Sequence, residues 1–192
     1  MSSMHPNPTL LDTLLELQIL DRVGRSGWVL RGIVEPESVA EHSWHVAFLV
    51  WSLGREVQTL DRLRALELAL IHDVAEVRLG DLPRTAGHYL PPGAKHRAEA
   101  QILAEVLAPI DPNHVEALEL EYRQRESTEA RFVAACDKLQ LMIKVAHYER
   151  WGAAGLSEFW DNPANFPGDE FGPVRDLFAA LMDRVGRTAV HR

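Results

Sequence analysis

Cysteine occurs once in these 192 residues, at Cys136, which excludes an internal disulfide as a source of stability. No Lys/Arg-rich run is present, and 20 basic against 28 acidic side chains leave a net charge of −8. That balance argues against the long phosphate-tracking surface of a nucleic-acid polymer binder, while leaving room for a small phosphorylated ligand. Charge interrupts every apolar stretch before the roughly 18 residues that would span a bilayer, so no membrane helix is expected. The opening "MSSMHPNP" has neither a charged start nor an apolar h-region. No leader is expected from it, and a cytoplasmic location is. Also missing are convincing strand alternation, internal repeats, low-complexity tracts and any interdomain linker.

What is present is one helical signature after another, and 46% hydrophobic content in a chain long enough for one real core. The expected class is all-α, a single compact helical bundle over residues 1–192. Thr9 caps a helix carrying Leu10, Leu11, Leu14, Leu15, Ile19 and Val23, with Gly24 as its stop. Ser38 and Glu41 form an S-x-x-E capping box that starts a helix running to about Gly54. A third helix is expected from about Leu60 to Val77, stopping at Gly80, with the His72-Asp73 pair inside it. Helical pattern resumes from about Ala94 to Leu107, and again after Asp111 as cap with Pro112 at the first position. Ser127 caps a long helix to about His147, and Val174 to Val185 reads as a final amphipathic helix after a loop with room for one short helix.

Three polar anomalies interrupt three of these apolar helices: His42, the His72-Asp73 pair, and Asp137 within "AACDKLQLM". Any one histidine in an apolar helix is ordinarily a packed, hydrogen-bonded core residue. Burying all of these groups is costly unless they satisfy one another, which a divalent cation does directly. Imidazoles and carboxylates from packed helices could supply four ligands and leave positions open for water or substrate. Cys136 adjoins Asp137, but a helix turns about 100° per residue, so the thiol faces elsewhere and reads as core packing. Trp44, Trp51, Trp151 and Trp160 read as core or dimer-contact residues.

The ordered set "PESVAEH", "LIHDVAEVRLGDL" and "FVAACDKL" resembles the H…HD…D signature of HD-domain phosphohydrolases. Within that family it is similar to the branch of bacterial 5′-deoxynucleotidases and their eukaryotic HD-domain relatives. The likeness covers about residues 15–160, including "GWVLRG", "KHRAE" and "HYE". It implies an HD-domain fold, a homodimer, and His42, His72, Asp73 and Asp137 as ligands of a divalent metal. A set of two imidazoles and two carboxylates is compatible with Mn, Fe, Co, Ni or Zn, and with weaker Mg binding. His45 falls outside the motif and reads as a supporting or packing residue. His88 and His96 could build a second metal site, though nothing in their spacing requires one.

The resemblance further implies hydrolysis of deoxynucleoside 5′-monophosphates to deoxynucleoside and phosphate. Glu76, placed by helical spacing on the face of His72 and Asp73, is the candidate general base for the attacking water. Asp81, in the loop after Gly80, is the candidate for protonating the leaving alkoxide or holding that water; its plainer reading is a turn cap. Arg25, Arg31 and Lys95 are candidate phosphate binders; the plainer reading of each is a solvated surface residue. Trp28 matches the nucleotide-contacting loop of the bacterial enzymes, where its face would exclude a 2′-hydroxyl; its plainer reading is a plug that seats the loop on the core. The arginine that precedes it there is Gly27 here. Other readings of the same motif are a phosphodiesterase, a nucleotide pyrophosphohydrolase, or a non-catalytic nucleotide sensor.

Overall fold

A computed structural model describes residues 9–187; the opening octapeptide and both ends of the expected 1–192 span lie outside the described residues. The expected all-α class is observed, with ten α-helices and no named strand among the described residues. They are α1 (Leu10–Leu17), α2 (Ser26–Val29), α3 (Val39–Leu53), α4 (Arg62–Ile71) and α5 (Glu76–Leu79). Next come α6 (Ala94–Val106), α7 (Pro112–Gln124), α8 (Thr128–Arg150), α9 (Ser157–Asp161) and α10 (Gly172–Arg184). The chain divides into two compact units, one of residues 1–43 and 70–124, the other of 44–69 and 125–192.

In the first unit, Thr9 and Asp12 make a reciprocal capping box at the start of α1, and Ser38 and Glu41 do the same for α3. α6 packs on α7 and on α5. Leu20, Val39, Val74, Val77, Leu103 and Val106 are buried in a common cluster there. Each such side chain contributes on the order of 1.5–3 kcal/mol when fully buried. Thr13, polar but buried, satisfies its hydroxyl on the Val106 carbonyl at 2.7 Å.

The second unit is built on α8, which is capped by Ser127 and buries Phe132, Val133, Cys136, Leu139, Met142 and Val145 completely. α10 packs on α8, and the rings of Phe132 and Phe171 meet edge to face at 5.0 Å. Cys136 is a core residue, as its helical phase implied; burial, and next the charge of Asp137, push its thiol well above the ordinary range.

Two helices differ from expectation. α1 ends at Leu17 rather than near Val23, and the chain tightens into a 3₁₀ turn over Gln18–Asp21. The reason lies just beyond: Gly24 makes an antiparallel bridge to Ser38, and the Val39 N–H donates to the Val23 carbonyl at 2.8 Å, pairings a continuing helix would forbid. The third expected helix is broken. α4 stops at Ile71, residues 72–75 form turns, and α5 begins at Glu76, so the HD pair lies in an interruption rather than within a helix. Hydrogen bonds across the break run to the third residue back, from Val74 to Ile71, Glu76 to Asp73 and Val77 to Val74.

Candidate metal centre

The interruption at residues 72–75 brings the HD side chains into register with α3. Neighbouring residues of a regular helix do not face one another, yet His72 Nε2 and Asp73 Oδ2 are 3.3 Å apart. His42, one turn into α3 and 1% exposed, points Nε2 at both: 3.3 Å to His72 Nε2 and 3.5 Å to Asp73 Oδ2. The three atoms form a nearly equilateral triangle. Two donors each ~2.05 Å from one cation and at a tetrahedral angle to it are themselves ~3.3–3.4 Å apart. Donor type and spacing therefore both fit a divalent metal, and the three residues form a candidate ligand group. Asp137 lies on α8 in the second unit, where its 17% exposed side chain stands 3.5 Å from Lys138 Nζ. It lines a cavity of about 400 Å³ with Arg125, Arg131, Lys138, Phe166 and Phe171.

Around the triangle, opposing charges set the protonation states. Burial would raise the Asp73 carboxyl, but His72, Arg25 and His42 outweigh it and hold the group well below the usual carboxylate range. Glu76 is 5% exposed, and its Oε2 has no hydrogen-bond partner among the described residues. Burial first, then the charges of Asp73 and Asp81, push its carboxyl up to about 9, against the opposing pull of Arg25 and Lys95. A buried carboxyl with an uncommitted oxygen is a group set up to exchange a proton.

Three of the expected cation and loop residues converge here. Arg25 Nη1 donates to Asp73 Oδ2 at 2.9 Å and stands 3.9 Å from Asp81 Oδ1. Asp81 also accepts the Ser26 backbone N–H, so its carboxylate ties the two loops together rather than capping the segment after it. Lys95, at the start of α6, pairs with Glu99 at 3.3 Å; burial opposes its charge, while Glu99, Glu76 and Asp73 raise its pKa. Arg31 folds back on its own loop and donates to the Gly27 carbonyl at 2.8 Å.

Trp28 is 1% exposed, inside the loop rather than on its surface, and its indole N–H points to Glu37 Oε2 at 3.4 Å. It has no open face to lay against a sugar. Two residues at the site escaped sequence reasoning. Tyr122 of α7 sets its ring 5.6 Å from that of His72, and Glu37 is a carboxylate only 3% exposed. Nothing in "ELEYRQ" marked Tyr122. Glu37 sits inside "PESVAEH", where buried depth, not spacing, is the telling feature.

Comparison with known proteins points to one family. A family model described as HD domain matches residues 17–165. The chain is 33% identical over 168 residues to human "5'-deoxynucleotidase HDDC2", covering 84% of this chain and 80% of that protein. It is 30% identical over 152 residues to "5'-deoxynucleotidase hdd1" of Schizosaccharomyces pombe, covering 74% and 75% of the two chains. Among solved structures, a conserved hypothetical protein from Pyrococcus furiosus superposes with a TM-score of 0.75 at 32% identity, covering 90% of this chain and 99% of the other.

Proposed function

From the fact that this chain belongs to the HD-domain family, we propose that it is a metal-dependent 5′-deoxynucleotidase, hydrolysing deoxynucleoside 5′-monophosphates to deoxynucleoside and phosphate. The observation that carries the reading is the triangle of His42 Nε2, His72 Nε2 and Asp73 Oδ2 at 3.3–3.5 Å. Asp137, matched by sequence motif, is proposed as the fourth ligand. The family match runs through both compact units, which supports treating them as one domain.

A divalent cation at this site supplies Lewis-acid polarisation of the phosphate and a more acidic water. The chain's own residues do the rest. Glu76, which the charge of a bound cation would bring to its ionised form, takes the proton of the water that attacks phosphorus, in line with the departing 5′-oxygen. The P–O5′ bond breaks, and the proton taken up by Glu76 passes to the alkoxide, either relayed by Asp81 or directly while Asp81 orients the water. Arg25, Arg31 and Lys95 hold the phosphate oxygens, with Arg31 supplying beside Gly27 the charge that residue lacks. Since Trp28 is buried, its part in sugar selection is exerted through the loop it fills rather than through contact.

We propose in addition a homodimer and a cytoplasmic location. The first is supported by an exposed aromatic ladder on α3, where Trp44 and Phe48 stack at 5.4 Å between centroids and Trp51 lies tilted against Phe48 at 5.6 Å. For the second, no helix among the described residues is long and apolar enough to cross a membrane.

Phosphate release measured over the deoxy- and ribonucleoside 5′-monophosphates, 3′-monophosphates, a phosphodiester and a nucleoside triphosphate, each with Mn, Co, Zn and Mg, tests the reading. Metal-dependent release from the deoxynucleoside 5′-monophosphates, above all the other substrates, is expected. Cleavage confined to the diester or triphosphate would replace it with one of the other family chemistries, and tight binding without turnover would make the protein a sensor.

A further inference from the structure

Residues 25–37 form a loop whose neck is closed by main-chain bonds. Gly24 bridges Ser38, and the Arg25 N–H donates to the Glu37 carbonyl at 2.8 Å. The neck is tight: a Cβ at Gly24 would stand 3.2 Å from both Pro36 Cγ and Val29 Cγ2. Trp28 and Glu37 are buried inside, at 1% and 3% exposure. Their contacts close a ring with Arg25. The indole N–H of Trp28 donates to the Glu37 side chain at 3.4 Å, and the backbone N–H of Trp28 donates to the Arg25 carbonyl at 3.0 Å. The backbone N–H of Arg25 then returns to the carbonyl of Glu37. Both main-chain polar groups of Arg25 are thus fixed by the two residues of the buried pair. Outside the ring, the same arginine reaches Asp73 and Asp81, and Ser26 donates its N–H to Asp81. A carboxylate is an expensive way to fill a loop, and an apolar side chain would close it at lower cost.

We infer that Glu37 and Trp28 are positioning residues, a buried clamp that aims the Arg25 guanidinium and the Ser26 amide at Asp73 and Asp81. The clamp acts through Arg25 and touches no substrate. It rests on the function proposed above in one respect only, that an aimed Arg25 promotes phosphate-ester hydrolysis.

Two readouts separate the clamp from that function. In Trp28→Phe, which keeps a ring in the loop but removes the N–H, and in Glu37→Leu, hydrogen exchange at the Arg25 and Ser26 amides should quicken by about tenfold or more while α7 amides are unchanged. Turnover of dAMP by the metal-loaded enzyme should fall roughly 10- to 100-fold in kcat/KM in both variants and stay within about threefold of wild type in Glu37→Gln, which keeps a side-chain acceptor. In an Arg25→Ala background, both substitutions should change kcat/KM by less than about twofold, because the residue through which they act is gone. If Glu37→Leu does not fold, Trp28→Phe carries the same test. Unchanged exchange at the two amides, or losses that add in full to that of Arg25→Ala, would overturn the clamp. Quickened exchange in a wild-type protein background that hydrolyses no phosphate ester would uphold the clamp and refute the nucleotidase.

Discussion

Segments 62–79 and 128–150 carry similar sequence signals, each an apolar helical run containing an out-of-place aspartate, and they fold differently. α8 winds without interruption for 23 residues, with its interior face filled by Phe132, Val133, Cys136, Leu139, Met142 and Val145. The other run breaks at residues 72–75, where hydrogen bonds shorten to the third residue back. The difference shows where regular winding gives way. Apolar burial is served by the 3.6-residue period, because any side chain on the inner face contributes. Bringing two adjacent side chains of different length onto one point is not, and here the helix yields at that step.

The sharpest way to break the comparison is at the interruption itself. His72→Ala should abolish metal binding and lower turnover by about 10³-fold or more, equivalent to roughly 4 kcal/mol of transition-state stabilisation, while circular dichroism stays helical. Phe132→Ala on α8 should do the reverse. About 3–5 kcal/mol of stability should be lost in denaturant titrations, with kcat per folded molecule little altered. Should the two variants show the same profile, the division between a packing helix and a ligand-gathering turn would fail.

Glu76→Gln sharpens the picture within the turn. Turnover should drop roughly 10²-fold with metal content retained, because the amide cannot take the proton. The metal-free variant should also be more stable than the metal-free wild type near neutral pH, since the folded wild type must take up at Glu76 a proton that the unfolded chain has released, and the amide need not. The sign with pH follows from the raised pKa. The unfolded chain releases the Glu76 proton above about 4.5, whereas the folded metal-free protein keeps it until about 9. Stability therefore falls as pH rises through that window, and the fall should flatten in the variant. Thermal melts of metal-stripped protein across that range check it. Smallest is Ser38→Ala, which removes one side of the capping box at the start of α3 and should cost about 1 kcal/mol with a modest loss of metal affinity.

Much of this was legible beforehand because it obeys local rules. The caps at Thr9, Ser38, Asp111 and Ser127 are set by side chains that reach backbone N–H groups two or three residues on, and all four are observed. His42, His72 and Asp73 were legible as a motif. The break at residues 72–75 was not, because its cause is convergence on a residue thirty positions away. For Trp28 the sequence left two readings, a nucleotide contact and a plug seating the loop on the core, and only the closed loop shows the indole inside with Glu37 against it. Tyr122 left no trace at all, since packing of a ring on His72 has no sequence period.

The most direct test of the account is a metal titration of the stripped protein followed by both bound metal and dAMP turnover. It predicts that activity rises from background in proportion to bound metal and that His42→Ala and His72→Ala bind none at the same concentrations. Full turnover in the stripped protein, or wild-type metal occupancy in both histidine variants, would contradict it.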